Sequence, residues 1–185
     1  MKKLLLVFSA SLLLLTACNS SNDASKNNNP DSSGSTTTSS NPSDESKEER
    51  NKQIVLESMK GVNNHNVDQV MKDISANVMD YGEGSGPVMK GADSLRGFIT
   101  GWFAAFPDYK GENLMAIADG DQVAVCGDWS GTFKKDFMGM KATGKSFKAK
   151  DVDIFTLDAA GKITEHRNIY PFGSIWQQLG VPMKK

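Results

Sequence analysis

Two aspartates and one histidine occur where the sequence pattern predicts the interior of a strand-rich region. Asp153 shares the alternating face of a predicted strand with large apolar residues such as Phe147 and Phe155. Removal from water favours the neutral form of a carboxyl group, which suits a general acid or a hydrogen-bond donor to an oxyanion. The alternative is a carboxylate that only bonds a neighbouring strand, and both interpretations of Asp153 are open at this point.

The other two members of this set are Asp80 and His166. Asp80 ends a short apolar stretch just before the glycine-rich segment 82–87, so it is either a functional carboxylate or an ordinary turn residue. His166 either transfers a proton near neutral pH or is a packed histidine without a chemical role. It shares one face of the last predicted strand with Asn168 and Tyr170, which become candidate ligand contacts if Tyr170 points inward.

Three more residues are candidate ligand contacts. Asp151 stands two residues before Asp153 and shares its face, and two close carboxylates raise the pKa of one of them unless Asp151 lies nearer the cavity mouth. Trp102 belongs to a broad aromatic stripe on a predicted helix, and Trp129 lies on the apolar face of a predicted strand. Such residues form a core, but a helix that covers a concave sheet also contributes aromatic side chains to a ligand cavity.

The helices that would position these residues are concentrated in the first half of the folded region. Apolar residues recur at helical spacing over residues 47–62 and again over 94–106, where Pro107 ends the pattern. Asn66 can cap a short helix between these two, because its side-chain oxygen accepts an unpaired N–H of the first turn. A last short helix is predicted over 172–179.

The second half changes to a period of two. Alternating residues predict long antiparallel strands over 123–133, 147–157 and 163–170, joined by turns rich in glycine. Helices followed by strands indicate an α+β fold in which helices pack on one side of a sheet.

The N-terminus has the pattern of an export signal. Lys2 and Lys3 precede an apolar run over residues 4–15, which is too short for a transmembrane anchor of about 20 apolar residues. The sequence Leu-Thr-Ala-Cys that ends at Cys18 is similar to the lipobox of bacterial lipoproteins. That similarity implies a signal peptide over residues 1–17 and attachment of lipid to Cys18, which would place the protein at the membrane.

The segment 18–45 follows this motif and is dominated by Ser, Asn, Thr, Asp and Pro. Its side chains cannot bury enough apolar surface to fold, so we expect a flexible tether behind the lipidated cysteine. Residues 46–185 are long enough for one domain. These features predict a lipid-anchored protein on the exported face of a bacterial cell envelope.

Composition and charge exclude several classes of function. The 185 residues include 21 Lys+Arg and 22 Asp+Glu, a formal net charge of -1, so nucleic acid is not an expected partner. Two cysteines are too few for a disulfide scaffold or a cysteine-rich zinc site. The two histidines lack metal-binding spacing, and we expect neither a metal nor another cofactor. His65 is expected to be a solvent-exposed turn residue.

Several short fragments of the folded region resemble a known family when they are taken in order. They are Phe106-Pro107-Asp108, Gly131-Thr132, Phe137-Met138-Gly139, Thr143-Gly144-Lys145, Asp153-Ile154-Phe155, Gly161-Lys162-Ile163, Glu165-His166 and Leu179-Gly180-Val181. Together they resemble the SnoaL-like polyketide cyclases over nearly all of the domain. The resemblance implies the cone-shaped α+β barrel shared with nuclear transport factor 2 and ketosteroid isomerase, in which a curved antiparallel sheet wraps around three or four helices and encloses a mostly apolar cavity.

The resemblance also implies roles for individual residues. Asp153 matches an acidic residue used in the cyclases and in ketosteroid isomerase, and Asp80 matches the place of a catalytic base in isomerase-like members. The Glu-His pair at His166 is a family feature. Two positions depart from the family, because Phe133 stands where many members have a histidine, and Arg167-Asn168 replaces a Trp-Asp pair.

The function implied is proton-transfer chemistry on a small hydrophobic molecule, either an aldol-type cyclisation or an isomerisation, without a metal. Two alternatives are open, namely a non-catalytic domain that binds such a molecule and an interaction module that forms a homodimer, as members of the family often do. Because polyketide synthesis is normally cytoplasmic, the predicted export argues against a polyketide as the substrate. One fold serves many chemistries, so the resemblance does not name the substrate.

Overall fold

A computed structural model describes residues 42–182 of the chain. The predicted signal peptide, Cys18 and the predicted tether as far as residue 41 lie outside the described residues. Within the described part, no helix is long and apolar enough to span a membrane.

Residues 42–182 contain four helices, of which three match the predicted positions closely. They are α1 (Pro42–Asn63), α2 (Val67–Met71), α3 (Ala92–Ala105) and α4 (Phe172–Gln178). The helix α1 begins at Pro42 rather than at the predicted residue 47, and acidic Asp44 and Glu45 in its first turn favour a helix start because they complement the helix dipole. The Asn66 side chain accepts a hydrogen bond from the N–H of Gln69 at 3.0 Å, so it caps α2 as predicted.

The same residues form one six-stranded sheet. Its strands are β1 (Ile74–Asp80), β2 (Met89–Lys90), β3 (Lys110–Asp119), β4 (Gln122–Thr132), β5 (Ser146–Leu157) and β6 (Ile163–Asn168). They lie in the order β2-β1-β6-β5-β4-β3. Every neighbouring pair is antiparallel except β1 and β6, which run parallel and depart from the antiparallel arrangement predicted from the sequence.

The strand β3 was not predicted, and its composition explains why. Its half-buried residues include Leu114 and Ala116, but Met115 and Ile117 on the opposite face are also apolar and more than half exposed. Apolar residues on both faces remove the alternation that identifies a half-buried strand. Antiparallel pairing with β4 places β3 at the edge of the sheet.

The core lies between the inner face of the sheet and the helices. Trp102 on α3 is its centre, because its ring contacts several other aromatic rings, with the Phe106 ring 4.3 Å away between centroids. Phe147 on β5 meets Phe106 edge to face at 5.9 Å. Gly131 allows this approach, because a Cβ atom there would lie 3.3 Å from both Phe106 and Phe147. The result is an α+β fold in which helices cover the inner face of one sheet.

Candidate functional site

A histidine bridges two aspartates that come from different strands. His166 on β6 contacts Asp80 on β1, with 3.0 Å between Nδ1 and Oδ2. Its other ring nitrogen, Nε2, lies 3.2 Å from Oδ1 of Asp153 on β5. The topology makes this contact possible because β6 lies between β1 and β5, and Asp80 is directly opposite His166 in the parallel register. The structure therefore brings together the three residues with predicted acid–base roles. Asp80 and His166 are 86 residues apart in the sequence.

The bridge determines the protonation of the histidine. Burial of the ring opposes its charge, but hydrogen bonds to Asp153 and Asp80 raise the pKa of His166 from 6.5 to about 10. Both ring nitrogens are therefore donors at neutral pH. Burial acts against ionisation of Asp80, yet the hydrogen bond and charge of His166, with the Gly82 N–H, hold its pKa below the ordinary value. The Asp80 carboxylate thus accepts hydrogen bonds from His166 and from the Gly82 N–H of the following turn. It has a place in the acid–base group and is also the turn residue that the sequence allowed.

The bridge remains within reach of a ligand. The side chains of His166, Asp80 and Asp153 keep 22%, 14% and 15% of their surface accessible. They line a cavity of about 160 Å³. Aliphatic and aromatic side chains form most of its wall, and the aromatic ones are Phe98, Trp102, Phe103, Tyr109, Trp129, Phe147, Phe155 and Phe172. The site is therefore a polar group set in an apolar pocket, the arrangement that small-molecule sites favour.

Asp151 lines the same cavity but has different partners. Its Oδ1 accepts hydrogen bonds from the main-chain N–H groups of Val152 at 2.7 Å and of residues 169 and 170 at 3.2 and 2.7 Å. Its Oδ2 accepts one from Nδ2 of Asn168 at 3.3 Å. Burial raises the pKa of Asp151, and the charge of nearby Asp153 raises it further, as expected for two close carboxylates.

Two buried polar atoms on the cavity wall have no hydrogen-bond partner within residues 42–182. They are Nε1 of Trp129 and Oδ1 of Asn168, on side chains that are each 6% exposed. The Trp129 ring stacks on Tyr109 with 5.5 Å between centroids. Its position depends on Gly111, because a Cβ atom there would come within 2.6 Å of the indole. Trp102, the other predicted tryptophan, lies on the α3 side of the same cavity.

Tyr109 is a site residue that the sequence did not identify. Its side chain lines the cavity, and burial followed by the charges of Asp153 and Asp151 raises the pKa of the phenol well above 10. The phenol is therefore a hydrogen-bond donor across the physiological pH range. A hydroxyl-bearing aromatic residue directly after the Phe-Pro-Asp fragment was the available signal, but the residue precedes the unpredicted strand β3. His65 fixes the Tyr109 main chain, with its Nε2 2.7 Å from the Tyr109 carbonyl oxygen.

Two predicted positions need correction. Tyr170 does not line the cavity, because β6 ends at Asn168 and the alternation of faces ends with it. Tyr170 lies instead beside a groove on the other face of the sheet, together with Met115. His65 is in a turn as predicted, but it is not solvent-exposed, since its ring stacks on Phe103 at 4.7 Å.

Within residues 42–182, no three His, Cys, Asp or Glu side chains are arranged to hold a metal ion. The protonated ring of His166 donates from both nitrogens and has no lone pair to offer.

Comparison with known proteins places this site in a family context. Residues 53–179, more than half of the chain, match the family described as SnoaL-like polyketide cyclase. A search of curated protein sequences gave no match.

Solved structures share the fold at low sequence identity. A proposed SnoaL-like polyketide cyclase from Jannaschia sp. CCS1 is 21% identical with a TM-score of 0.64, over 74% of this chain and 95% of that one. AclR, a proposed hydroxylase from Streptomyces galilaeus, is 23% identical with a TM-score of 0.61, over 72% and 97%. A proposed polyketide cyclase from Xanthomonas campestris pv. campestris is 17% identical with a TM-score of 0.64, over 71% and 98%. These matches confirm the predicted cone-shaped α+β fold.

Proposed function

The chain belongs to the SnoaL-like polyketide cyclase family, and we propose that its domain binds a small, mostly apolar carbonyl compound and catalyses proton transfer next to the carbonyl group. The observation that carries this proposal is the bridge of Asp80, His166 and Asp153 on the wall of an aromatic cavity. Acid–base chemistry needs titratable groups in reach of a bound substrate, and the accessible surface of these three side chains meets that need.

Asp153 is the general base in this proposal. Within residues 42–182, Oδ1 of Asp153 accepts a hydrogen bond from Nε2–H of His166, which leaves Oδ2 for the substrate. Oδ2 removes a proton from the carbon next to the carbonyl, and the electron pair of that C–H bond moves into the enolate. In an isomerisation, protonated Asp153 then returns the proton to another carbon of the enolate. In an aldol reaction the enolate attacks a second carbonyl, and protonated Asp153 gives the proton to the alkoxide that forms.

His166 and Asp80 act on Asp153 rather than on the substrate. The imidazolium ring orients Asp153, because its Nε2–H donates to Oδ1. Asp80 fixes the other ring nitrogen and stabilises the charge, so it is a positioning residue.

Tyr109 supplies the donor that an enolate oxygen needs. Its raised pKa keeps the phenol protonated, and it faces the same cavity as Asp153. A fixed donor in a pocket with little water stabilises negative charge more strongly than a donor in bulk solvent does.

The cavity volume limits the substrate. About 160 Å³ is close to the ~150 Å³ of an engineered protein cavity that holds one benzene molecule. A ligand of about ten non-hydrogen atoms or fewer therefore fits without rearrangement. This size supports isomerisation or aldol chemistry on a small ketone over cyclisation of a long polyketide.

Non-catalytic binding of the same molecule is the second candidate function. It is favoured by the raised pKa of His166, because a ring that keeps its proton to about pH 10 cannot itself accept one at neutral pH. Catalysis then depends on Asp153 alone as the base, and without that step the cavity would only store or sense its ligand.

Hydrogen–deuterium exchange separates the two candidates without knowledge of the substrate. The full chain is incubated in D2O with a panel of small ketones, and loss of the α-proton signal is followed by 1H NMR. We expect wild type to accelerate exchange of at least one ketone and Asp153→Asn to slow that exchange by about 10²- to 10⁴-fold. The matched control is Asp128→Asn, since Asp128 is paired with Lys150 outside this cavity. Ketone binding without faster exchange in wild type would leave only the storage function.

Anchoring at the envelope is part of the proposed function. We propose that the signal peptide is removed before Cys18 and that lipid on this cysteine tethers the domain to the exported face of the membrane. The support for this anchor is the sequence pattern alone. Lipid on Cys18 would hold the protein stably, because each buried CH2 of an acyl chain contributes about 0.8 kcal/mol and two or more chains are enough. Cys18→Ser should move the protein from the membrane fraction to the soluble fraction, whereas Cys126→Ser should leave it in place. Equal membrane retention of both variants would disprove the anchor.

A homodimer is proposed through the face of the sheet opposite the cavity. Met115, Ile117 and Ile169 are 55%, 56% and 59% exposed, which is high for large apolar side chains. Light scattering should give twice the chain mass for wild type and a lower mass for Ile117→Lys. Met138→Lys, at an apolar residue that is 73% exposed, is the control and should not change the mass. A wild-type protein with the mass of one chain would refute the dimer.

A further inference from the structure

The charged groups on the cavity wall do not balance. Three carboxylates, those of Asp80, Asp151 and Asp153, face one imidazole, that of His166. Within residues 42–182, no lysine or arginine lines this cavity. Carboxyl groups therefore outnumber the imidazole three to one on this wall. A carboxylate away from water is stabilised by an opposite charge beside it, so the wall favours a positive guest.

The aromatic side chains of the cavity favour the same kind of guest. The rings of Tyr109 and Trp129 are stacked with an angle of 12° between their planes, and both residues line the cavity together with Asp151. The face of an aromatic ring carries negative potential and attracts cations, most strongly in tryptophan. Ammonium groups bound between aromatic faces and carboxylates are stabilised by both.

The strand register places the carboxylate and the indole next to each other. Gly127 on β4 is directly opposite Asp151 on β5. A Cβ atom on Gly127 would lie only 3.3 Å from Nε1 of Trp129, so the N–H edge of the indole reaches the position opposite Asp151. Asp151 is thus close to the indole ring, whereas Asp153 is paired with His166.

An unpartnered acceptor near Asp151 is an independent sign of a missing donor. Asn168 lines the cavity, is 94% buried, and its Oδ1 accepts no hydrogen bond from residues 42–182. Its Nδ2 donates to Asp151 and to the Tyr170 carbonyl, so both amide hydrogens are used while the oxygen is not. A ligand with N–H groups supplies the donor that this oxygen lacks, and an unmade hydrogen bond at a buried group is unfavourable.

We propose that the carbonyl compound bound by this domain also carries a positively charged ammonium group, which lies against Asp151 and the rings of Tyr109 and Trp129. The inference rests on the proposed function and adds a substrate class to it, a small amino ketone or a related ammonium compound. Its carbonyl end faces Asp153 and Tyr109, and its cationic end lies toward Asp151. The cavity of about 160 Å³ accommodates a molecule of this size.

Matched pairs of compounds test the charge directly. The full chain in detergent is titrated with choline against 3,3-dimethylbutan-1-ol, and with cyclohexylammonium against cyclohexanol, by calorimetry. Each pair has nearly the same shape and differs by one positive charge. We expect the ammonium member to bind at least tenfold more tightly in one or both pairs, because charge rather than shape distinguishes the partners.

Two variants show where the preference arises. Asp151→Asn keeps an oxygen for the N–H groups of residues 169 and 170 and removes the charge, together with the hydrogen bond that Oδ2 accepts from Asn168. We expect it to reduce the preference at least threefold. Asp128→Asn removes the same charge at a residue that does not line the cavity and should leave the preference unchanged.

The outcomes separate this inference from the function on which it rests. Cyclohexanone is included as a neutral carbonyl probe. If cyclohexanone binds and the neutral member of each pair binds as tightly as the ammonium member, the cationic ligand is refuted and the proposed function stands. If no compound binds, including cyclohexanone, both are refuted. An ammonium preference that is the same in Asp151→Asn would also overturn the assignment to Asp151.

Discussion

Asp151 and Asp153 are two carboxylates on one face of one strand, yet they have different surroundings. Asp153 meets the ring of His166 at 3.2 Å, so its main partner is a titratable side chain. Asp151 meets main-chain N–H groups of residues 152, 169 and 170, none of which titrates. The first arrangement suits acid–base chemistry, and the second supports the chain as it leaves β6.

The difference shows that strand alternation assigns a face but not a role. Both carboxylates are on the inner face because they are two residues apart. Their roles differ because the neighbouring strand presents His166 to one, while the segment after β6 folds its main chain over the other.

The largest difference is expected in stability. Asp151→Ala removes the acceptor of at least two well-formed main-chain hydrogen bonds and should lower the free energy of unfolding by about 2–4 kcal/mol. Asp151→Asn keeps an amide oxygen and should recover most of this loss. Asp153→Ala should cost about 1 kcal/mol, since His166 keeps its bond to Asp80 and can release its proton. Urea unfolding of the three variants measures this, and an equal loss in both alanine variants would contradict the contrast.

The second difference concerns the pKa of His166. The chain has only two histidines, so their imidazole signals can be assigned by single substitution and followed by NMR against pH. Asp153→Asn removes a hydrogen-bonded negative charge and should lower the pKa of His166 from about 10 by about 1–3 units. Asp151→Asn should lower it much less, because Asp151 does not contact the ring. Equal shifts in the two variants would mean that the carboxylates act as one charge cluster.

The third difference is in the pH dependence of stability. The pKa of His166 is higher in the folded chain, about 10, than its ordinary value of 6.5. The folded state therefore retains a proton that the unfolded state has lost, and stability from this bridge is full below about pH 6.5 and is lost as pH rises toward 10. Unfolding measured at pH 6 and pH 10 should show this decrease in wild type and a smaller one in Asp153→Asn. Asp151→Asn should keep the decrease that is due to His166.

The sequence predicted the inward direction of Asp153 because Phe147, Ala149, Phe155 and Leu157 alternate at the two ends of β5 and Asp153 keeps their spacing. The aromatic stripe of α3 was equally informative, since Leu95, Phe98, Ile99, Trp102 and Phe103 all line the cavity at helical spacing. Both patterns are local, so neighbouring residues alone determine them. The fold class followed from the order of helices and strands.

The remaining features depend on contacts between distant segments. Nothing within a few residues of Asp80 indicates that β1 pairs in parallel with β6 and places Asp80 opposite His166. Tyr109 was missed because the strand that begins after it lacks alternation, and Tyr170 was misplaced because β6 ends two residues earlier. The strand ends and the pairing of distant strands were the two quantities that local patterns could not supply.

The last strand to be synthesised, β6, is not at an edge of the sheet. It inserts between β1 and β5, so a growing chain first holds the β1–β2 pair and the β3–β4–β5 meander as separate pieces. Hairpin pairing between sequence neighbours is fast, whereas joining distant strands is slower. A nascent chain that has not reached residue 163 carries all three aspartates of the cavity but lacks β6, and with it His166, which joins Asp80 to Asp153. The group proposed to react is thus completed in the same step that closes the domain, and an incompletely synthesised chain has no partly active form.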